Sequence, residues 1–235
     1  MSQELAAGEP LRSLRVIGYS VQGRPIHLWQ LTQGIRSLLL LGGVHGDEVE
    51  GYALIERYVA SGKRGSLAGK ATLWAIPRLN PDGCALGQRL NANGVDLNRN
   101  LPTQDWIPAS LEARYPPGAA PGSEPETQAL LGGLAQMRPQ FILSAHSCQA
   151  HPCVNYNGPA LELAQVMAAC NGLPITADII GYPTPGSLGT WAGQERRIPT
   201  LTLEILRGTP LDQVWQEQAE ALQAVLEWAA QGDAF

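Results

Sequence analysis

His45-Gly46-Asp47-Glu48 sets an imidazole and a carboxylate three residues apart, where an apolar run gives way to helical spacing. At the start of a helix, residues with that spacing turn toward one point. Zinc accepts imidazole nitrogen and carboxylate oxygen at about 2.0–2.2 Å, and a catalytic zinc keeps one position open for water. The same four residues also read as a plain helix start whose acidic first turn suits the macrodipole. Asp47 lies off the face shared by His45 and Glu48. Its expected part is to accept a hydrogen bond from the far side of the His45 ring.

A third ligand must come from a distance, and the chain has four histidines. His27 falls inside an early strand pattern and reads as structural. His146 closes an apolar run, as His45 does. His151 belongs to His146-Ser147-Cys148-Gln149-Ala150-His151-Pro152-Cys153. Those sulfur and nitrogen donors would suit a closed structural zinc, but their spacing matches no common zinc knuckle. A loop histidine with an ordinary hydrogen bond is the simpler reading. A further string, residues 80–100, carries Arg89, Asn98 and Arg99 among glycines and amides. The planar fork of arginine suits a carboxylate or a developing oxyanion. A solvated, Gly/Asn-rich turn accounts equally for the composition.

These residues need a scaffold, and the hydrophobic periodicity supplies one. Residues 14–21 and 25–31 read as two strands joined by a tight turn at Gln22-Gly23-Arg24. Residues 36–41 form a nearly continuous apolar run, the pattern of a strand buried on both faces. Helical spacing follows over 48–61, then a strand at 71–77. Residues 80–122 hold six prolines and no sustained periodicity, and a stretch of that kind in a compact domain is usually functional. At Ser123-Glu124-Pro125-Glu126 the pattern predicts a helix to residue 137, with Ser123 as N-cap, Glu126 closing a capping box and Pro125 in the first turn. Residues 141–145 read as a strand ending at His146, 159–169 as a helix, 199–204 as the last core strand, and 210–230 as an amphipathic helix. Strands alternating with helices indicate an α/β domain with a mixed, mainly parallel sheet covered on both faces. Ligands of such sheets bind beyond the carboxyl ends of the strands, and His45, His146 and Glu204 all fall at or just after strand ends.

The 44% hydrophobic content, with 16% charged residues, suffices for a sizeable core, and 235 residues fit a single domain, 1–235. A net charge of −5 without any Lys/Arg-rich run argues against nucleic acid or an anionic membrane as partner. No apolar run approaches the roughly 20 residues of a bilayer span. The first fifteen residues carry Glu4 and Glu9 and no leader-like stretch, so a cytoplasmic location is expected. Cys84, Cys148, Cys153 and Cys170 are too dispersed for a disulfide framework and read as reduced thiols.

Together, His45-x-x-Glu48, Asn80-Pro81-Asp82-Gly83, Gly94-Val95-Asp96-Leu97-Asn98-Arg99-Asn100, the downstream His146 and the late Glu204 resemble the zinc carboxypeptidase family. The likeness is greatest to its branch that trims peptidoglycan peptides, and includes Pro121-Gly122-Ser123-Glu124-Pro125-Glu126-Thr127 and Gly181-Tyr182-x-Thr184-Pro185-Gly186-Ser187. The resemblance implies that His45, Glu48 and His146 hold one Zn2+ per chain. By the same resemblance Arg89 stabilises the oxyanion, Asn98 and Arg99 grip the terminal carboxylate of a small peptide, and Glu204 is the catalytic base. Read by itself, a strand-end glutamate is a surface charge. The implied reaction is hydrolysis of the γ-D-glutamyl–meso-diaminopimelate bond in murein peptides during peptidoglycan recycling. Two other functions fit less of the chain. A related zinc hydrolase could take an N-acyl amino acid or an ordinary C-terminal peptide, although the complete run 95–100 favours the peptidase branch over the aspartoacylase-like one. A non-catalytic binding protein of the same fold should have lost a ligand or the base, and every one is present. In the peptidoglycan branch an acidic residue follows the third ligand; here Ser147 and Cys148 do, so a substrate-facing wall is expected to differ.

Overall fold

Leu38, Leu39, Leu40 and Leu41 are all fully buried, and they alternate between two hydrophobic clusters. A strand's side chains point to opposite faces in turn, so this run must be covered on both sides. It is the carboxyl-terminal half of β3 (Gly34–Leu41), in a computed structural model that describes residues 13–63, 65–110, 112–177 and 183–231. The N-terminal stretch read above for a leader, up to residue 12, and the Gly181-Tyr182 part of the family likeness lie outside the described residues.

Eight strands form one sheet: β1 (Ser13–Tyr19), β2 (Pro25–Gln30), β3, β4 (Gly69–Ile76), β5 (Phe141–Cys148), β6 (Cys153–Asn157), β7 (Ile175–Thr176) and β8 (Thr200–Leu206). Their order is β1-β2-β4-β3-β5-β8-β6-β7. The central β4-β3-β5-β8 ladders are parallel, while β1-β2, β2-β4 and β6-β8 are antiparallel. On one face lie α1 (Val49–Ser61), α4 (Leu161–Asn171) and α5 (Leu211–Ala229), which share a cluster with Leu38 and Leu40. On the other lies α3 (Pro125–Met137), packed with Leu39 and Leu41. The α/β sheet with helices on both faces is therefore as the periodicity indicated. The β1–β2 turn also forms, closed by Ser20 N donating to Arg24 O at 2.8 Å with Gly23 at φ 76°.

Several elements differ from expectation. The long loop contains α2 (Pro81–Leu86), whose Pro and Gly disguise it; Asn80 caps it by accepting from Gly83 N. It also contains a 3-10 turn at Leu97–Arg99. The capping box at α3 does not form: Glu124 is the N-cap residue, without a side-chain cap. Glu124 and Glu126 instead accept from the buried Asn91 amide at 2.8 and 3.0 Å, a stronger demand than an exposed cap because an unmet buried amide costs more. The short β6 and β7 and a π-helical turn at Gly189–Gln194 carry too few apolar residues to show a period. β5 and β8 run on past His146 and Glu204, because their ladder continues to Cys148 opposite Leu206.

Candidate active site

The carboxyl ends of β3, β5 and β8 meet at one cleft of about 460 Å³. His45 sits in the turn between β3 and α1. There Gly46 lies against the backbone of α2, where a Cβ would come within 1.9 Å of Gly83 C, so only glycine lets this loop seat so deeply. Glu48 precedes α1 as its N-cap residue, yet makes no side-chain cap, because its carboxylate is turned inward. His146 on β5 is directly opposite Glu204 on β8. Neighbouring parallel strands lie about 4.8 Å apart with registered side chains on one face, so the ladder alone brings those two groups together.

His45 Nδ1 is 2.9 Å from Glu48 Oε1, His146 Nδ1 is 2.8 Å from Glu48 Oε2, and the two Nδ1 atoms are 3.2 Å apart. The opposite nitrogens are engaged elsewhere: His45 Nε2 with Asp96 Oδ1 at 2.9 Å, and His146 Nε2 with Ser144 Oγ at 3.0 Å. Asp96 is fully buried, and its carboxyl lies well below the usual range. Burial opposes this, but His45 and Arg89 outweigh it. An ionised carboxylate only accepts, so His45 Nε2 carries the proton and Nδ1 turns a lone pair inward. The His45 Nδ1 lone pair and the Glu48 carboxylate repel each other unless a proton or a metal cation lies between them. Burial alone would raise Glu48 and lower His45; instead Glu48 is pulled well below its ordinary value by the imidazoles, and His45 is raised by Glu48 and Asp96. Among the described residues, these three form the one group able to hold a metal, with ligand atoms within 4.8 Å of one another. Two imidazole nitrogens and a carboxylate are the donor set of a catalytic zinc.

Asp47 does not orient His45. It pairs with Arg207, Oδ2 to Nη1 at 3.0 Å, because the turn aims it away from the ring. Asp96, fifty-one residues along the chain from His45, does that work, and nothing within the 95–100 run marks it for that role. Its Oδ1 also accepts from Asn98 N, and its Oδ2 accepts from Arg89 Nε and Nη2 at 3.1 and 2.9 Å. One buried carboxylate thus ties a ligand histidine, an arginine and the 3-10 turn together. Asp96→Asn is expected to weaken zinc binding by about 10–100-fold, as loss of a ligand's supporting partner does; competition against a chromophoric chelator at fixed pH measures it.

Arg89 Nη1 is 3.0 Å from Glu48 Oε1, and the guanidinium groups of Arg89 and Arg99 both lie over the Tyr115 ring, at 5.0 and 5.1 Å. Asn98 Oδ1 accepts from Leu188 N at 2.9 Å, which orients its amide. Glu204 is half-buried, and burial pushes its carboxyl up to about 7. All seven residues singled out from the sequence (His45, Glu48, Arg89, Asn98, Arg99, His146 and Glu204) line the one cleft. The soft-ligand cluster does not assemble as a metal group. His151 is exposed, and burial raises the thiols of Cys148 and Cys153 to about 11 and 12, which disfavours thiolate ligands. His27 faces solvent from β2.

Comparison with known proteins agrees with this geometry. Murein peptide amidase A of Escherichia coli (strain K12) is 34% identical over 186 residues, 74% of each chain. The crystal structure of murein-tripeptide amidase MpaA from Escherichia coli O157 superposes with a TM-score of 0.75 at 30% identity, covering 96% of this chain and 97% of that one. Carboxypeptidase A from Helicoverpa armigera, at 17% identity, shares the fold with a TM-score of 0.81 over 96% of this chain and 70% of its own. A sequence model of the family described as "Zinc carboxypeptidase" matches residues 1–165. With two imidazoles and a carboxylate poised for zinc at the strand ends, this chain is a peptide hydrolase that belongs to the zinc carboxypeptidase family.

Proposed function

We propose that the protein is a zinc exopeptidase that hydrolyses the γ-D-glutamyl–meso-diaminopimelate bond of murein peptides, acting in the cytoplasm on recycled wall fragments as one catalytic domain. The observation that carries this reading is the shared cleft: a tri-dentate zinc seat, a carboxylate raised to about 7 and an arginine–asparagine pair all open onto it. The 34% identity to murein peptide amidase A supports the choice of substrate.

His45, Glu48 and His146 would hold the zinc, which when bound would supply Lewis-acid polarisation and lower the pKa of water. The remaining work belongs to the chain's own groups. Glu204, facing the cleft beside His146, takes the proton of the attacking water and delivers it to the departing amine. Arg89 donates to the oxygen that becomes negative; the loss of one such donor in an enzyme costs on the order of 10²–10³ in rate. Arg99 and the Asn98 amide receive the free carboxylate of the leaving residue. That requirement restricts cleavage to a chain end.

Incubation with L-Ala-γ-D-Glu-meso-diaminopimelate is expected to release free diaminopimelate, detected by mass spectrometry. No release, together with trimming of an ordinary C-terminal peptide or an N-acyl amino acid, would move the protein to a related zinc hydrolase. No turnover of any of them, with zinc bound, would favour a binding protein.

A further inference from the structure

Arg207 follows β8 three residues after Glu204 and lines the same cleft, yet the reaction as derived gives it nothing to do. Its backbone N–H donates to Cys148 O, which holds it against the end of β5. Only one of its side-chain nitrogens is well occupied: Nη1, on Asp47 Oδ2 at 3.0 Å. Nη2 stands 4.0 Å from Glu48 Oε1, beyond hydrogen-bond reach, and Nε is buried with no acceptor among the described residues. Nε and Nη2 form the side edge of the guanidinium; Nε is shielded there, so Nη2 is the donor left to a carboxylate in the cleft. Elsewhere in this protein that same edge is filled: Arg78 turns it to Glu56 at 2.7 and 3.0 Å, and Arg89 turns it to Asp96.

The position tells which part of a substrate would meet it. Arg89 and Arg207 both approach Glu48 Oε1, at 3.0 and 4.0 Å. Arg89 continues through Asp96 to Asn98 and Arg99, where the leaving residue's carboxylate is received. Arg207 continues instead to Asp47, so it serves the acyl part of the substrate on the other side of the scissile carbonyl. A γ-linked glutamyl residue carries a carboxylate there. Its own α-carboxylate stays free, four bonds from the scissile carbon, or about 5 Å when extended. An α-linked peptide offers a carboxylate at that distance only where its acyl residue is itself glutamyl, through the side chain.

We infer that Arg207 is a specificity-determining residue that binds the free α-carboxylate of the γ-glutamyl residue on the acyl side of the cleaved bond. This rests on the murein-peptide reading above and names the feature by which the site would recognise that substrate. Arg207 touches substrate and takes no part in proton transfer.

The test compares L-Ala-γ-D-Glu-meso-diaminopimelate with its counterpart carrying D-isoglutamine, in which that carboxylate is a neutral amide. The zinc-loaded wild type is expected to prefer the acid by on the order of 10- to 100-fold in kcat/KM, the scale of a hydrogen bond to a charged group. In Arg207→Gln this ratio should fall close to one, and Arg207→Lys should keep part of it. The ratio does not depend on how much of a variant folds, so an unstable variant still reports. A wild-type ratio near one, or an Arg207→Gln enzyme that slows both substrates equally, would overturn the assignment; release of diaminopimelate from both would leave the murein reading intact. If the wild type cleaves neither murein peptide but trims an α-linked one, the murein reading fails and the assignment falls with it.

Discussion

Replacing Glu204 by glutamine is expected to lower kcat by roughly 10²–10⁴-fold, the scale of a lost general base, while zinc content stays as in the wild type. The two readouts separate a base from a ligand: metal analysis would reveal loss of a ligand, and only turnover reveals loss of the base. A near-normal rate in this variant would remove Glu204 from the mechanism. The pH profile gives an independent check. Burial raises the Glu204 carboxyl to about 7, and a zinc ion beside it acts in the opposite direction. The acid limb of kcat/KM in the loaded enzyme is therefore expected below pH 7, with activity lost as pH falls and the base takes up a proton. Stability runs the other way. A carboxyl raised from 4.5 in the unfolded chain to about 7 in the fold opposes folding increasingly across that window and fully above it. Metal-free Glu204→Gln should accordingly melt at a higher temperature than metal-free wild type at pH 8. A residue placed for function rather than stability behaves in this way.

Much of this site could be read from the chain because its signals are local. His45 and Glu48 are three residues apart, and the leucines of β3 announce a strand buried on both faces. What escaped depends on distance. Asp96 orients His45 across fifty-one residues, and nothing in its own neighbourhood says so, whereas Asp47 is adjacent and was the natural choice. Ser123 and Glu126 carry the letters of a capping box, but the buried Asn91 amide and the exposed Asn93 on the 80–122 loop compete for the glutamates, and these long-range contacts win. α2 hides behind a proline and a glycine that normally end helices, and Arg207 looks like any charged residue past a strand. The roles of Arg89 and Glu204 came from family likeness, since an arginine in a polar loop and a glutamate in a strand have no chemical signature until the fold sets them beside a metal seat.

Stripping the metal with a chelator is expected to abolish hydrolysis, and stoichiometric zinc to restore it; full activity in demonstrably metal-free protein would sink the zinc assignment. Loading should also depend on pH. His45 is raised above 6.5 in the metal-free protein by Glu48 and Asp96, which outweigh the effect of burial, so a proton competes with zinc for Nδ1. Zinc affinity should therefore rise with pH through the titration of His45 and level off once the ring is neutral. Binding followed by calorimetry in buffers of different ionisation enthalpy would count the proton released. The seat is costly to leave empty, because Glu48 and both imidazoles are buried and crowd within hydrogen-bond distance of one another. Zinc should thus raise Tm in addition to switching on activity.

His146 and Glu204 face each other as a registered pair on two hydrogen-bonded strands. The gap between metal and base is therefore a property of the main chain, set by the repeat of the ladder and indifferent to the side chains around it. The walls of the cleft are built differently, from the turn after β5, the 80–122 loop and the segment after residue 183. Such a division lets lineages exchange walls without retuning the reaction. A family built in this way can diversify in diet while inheriting its chemistry unchanged.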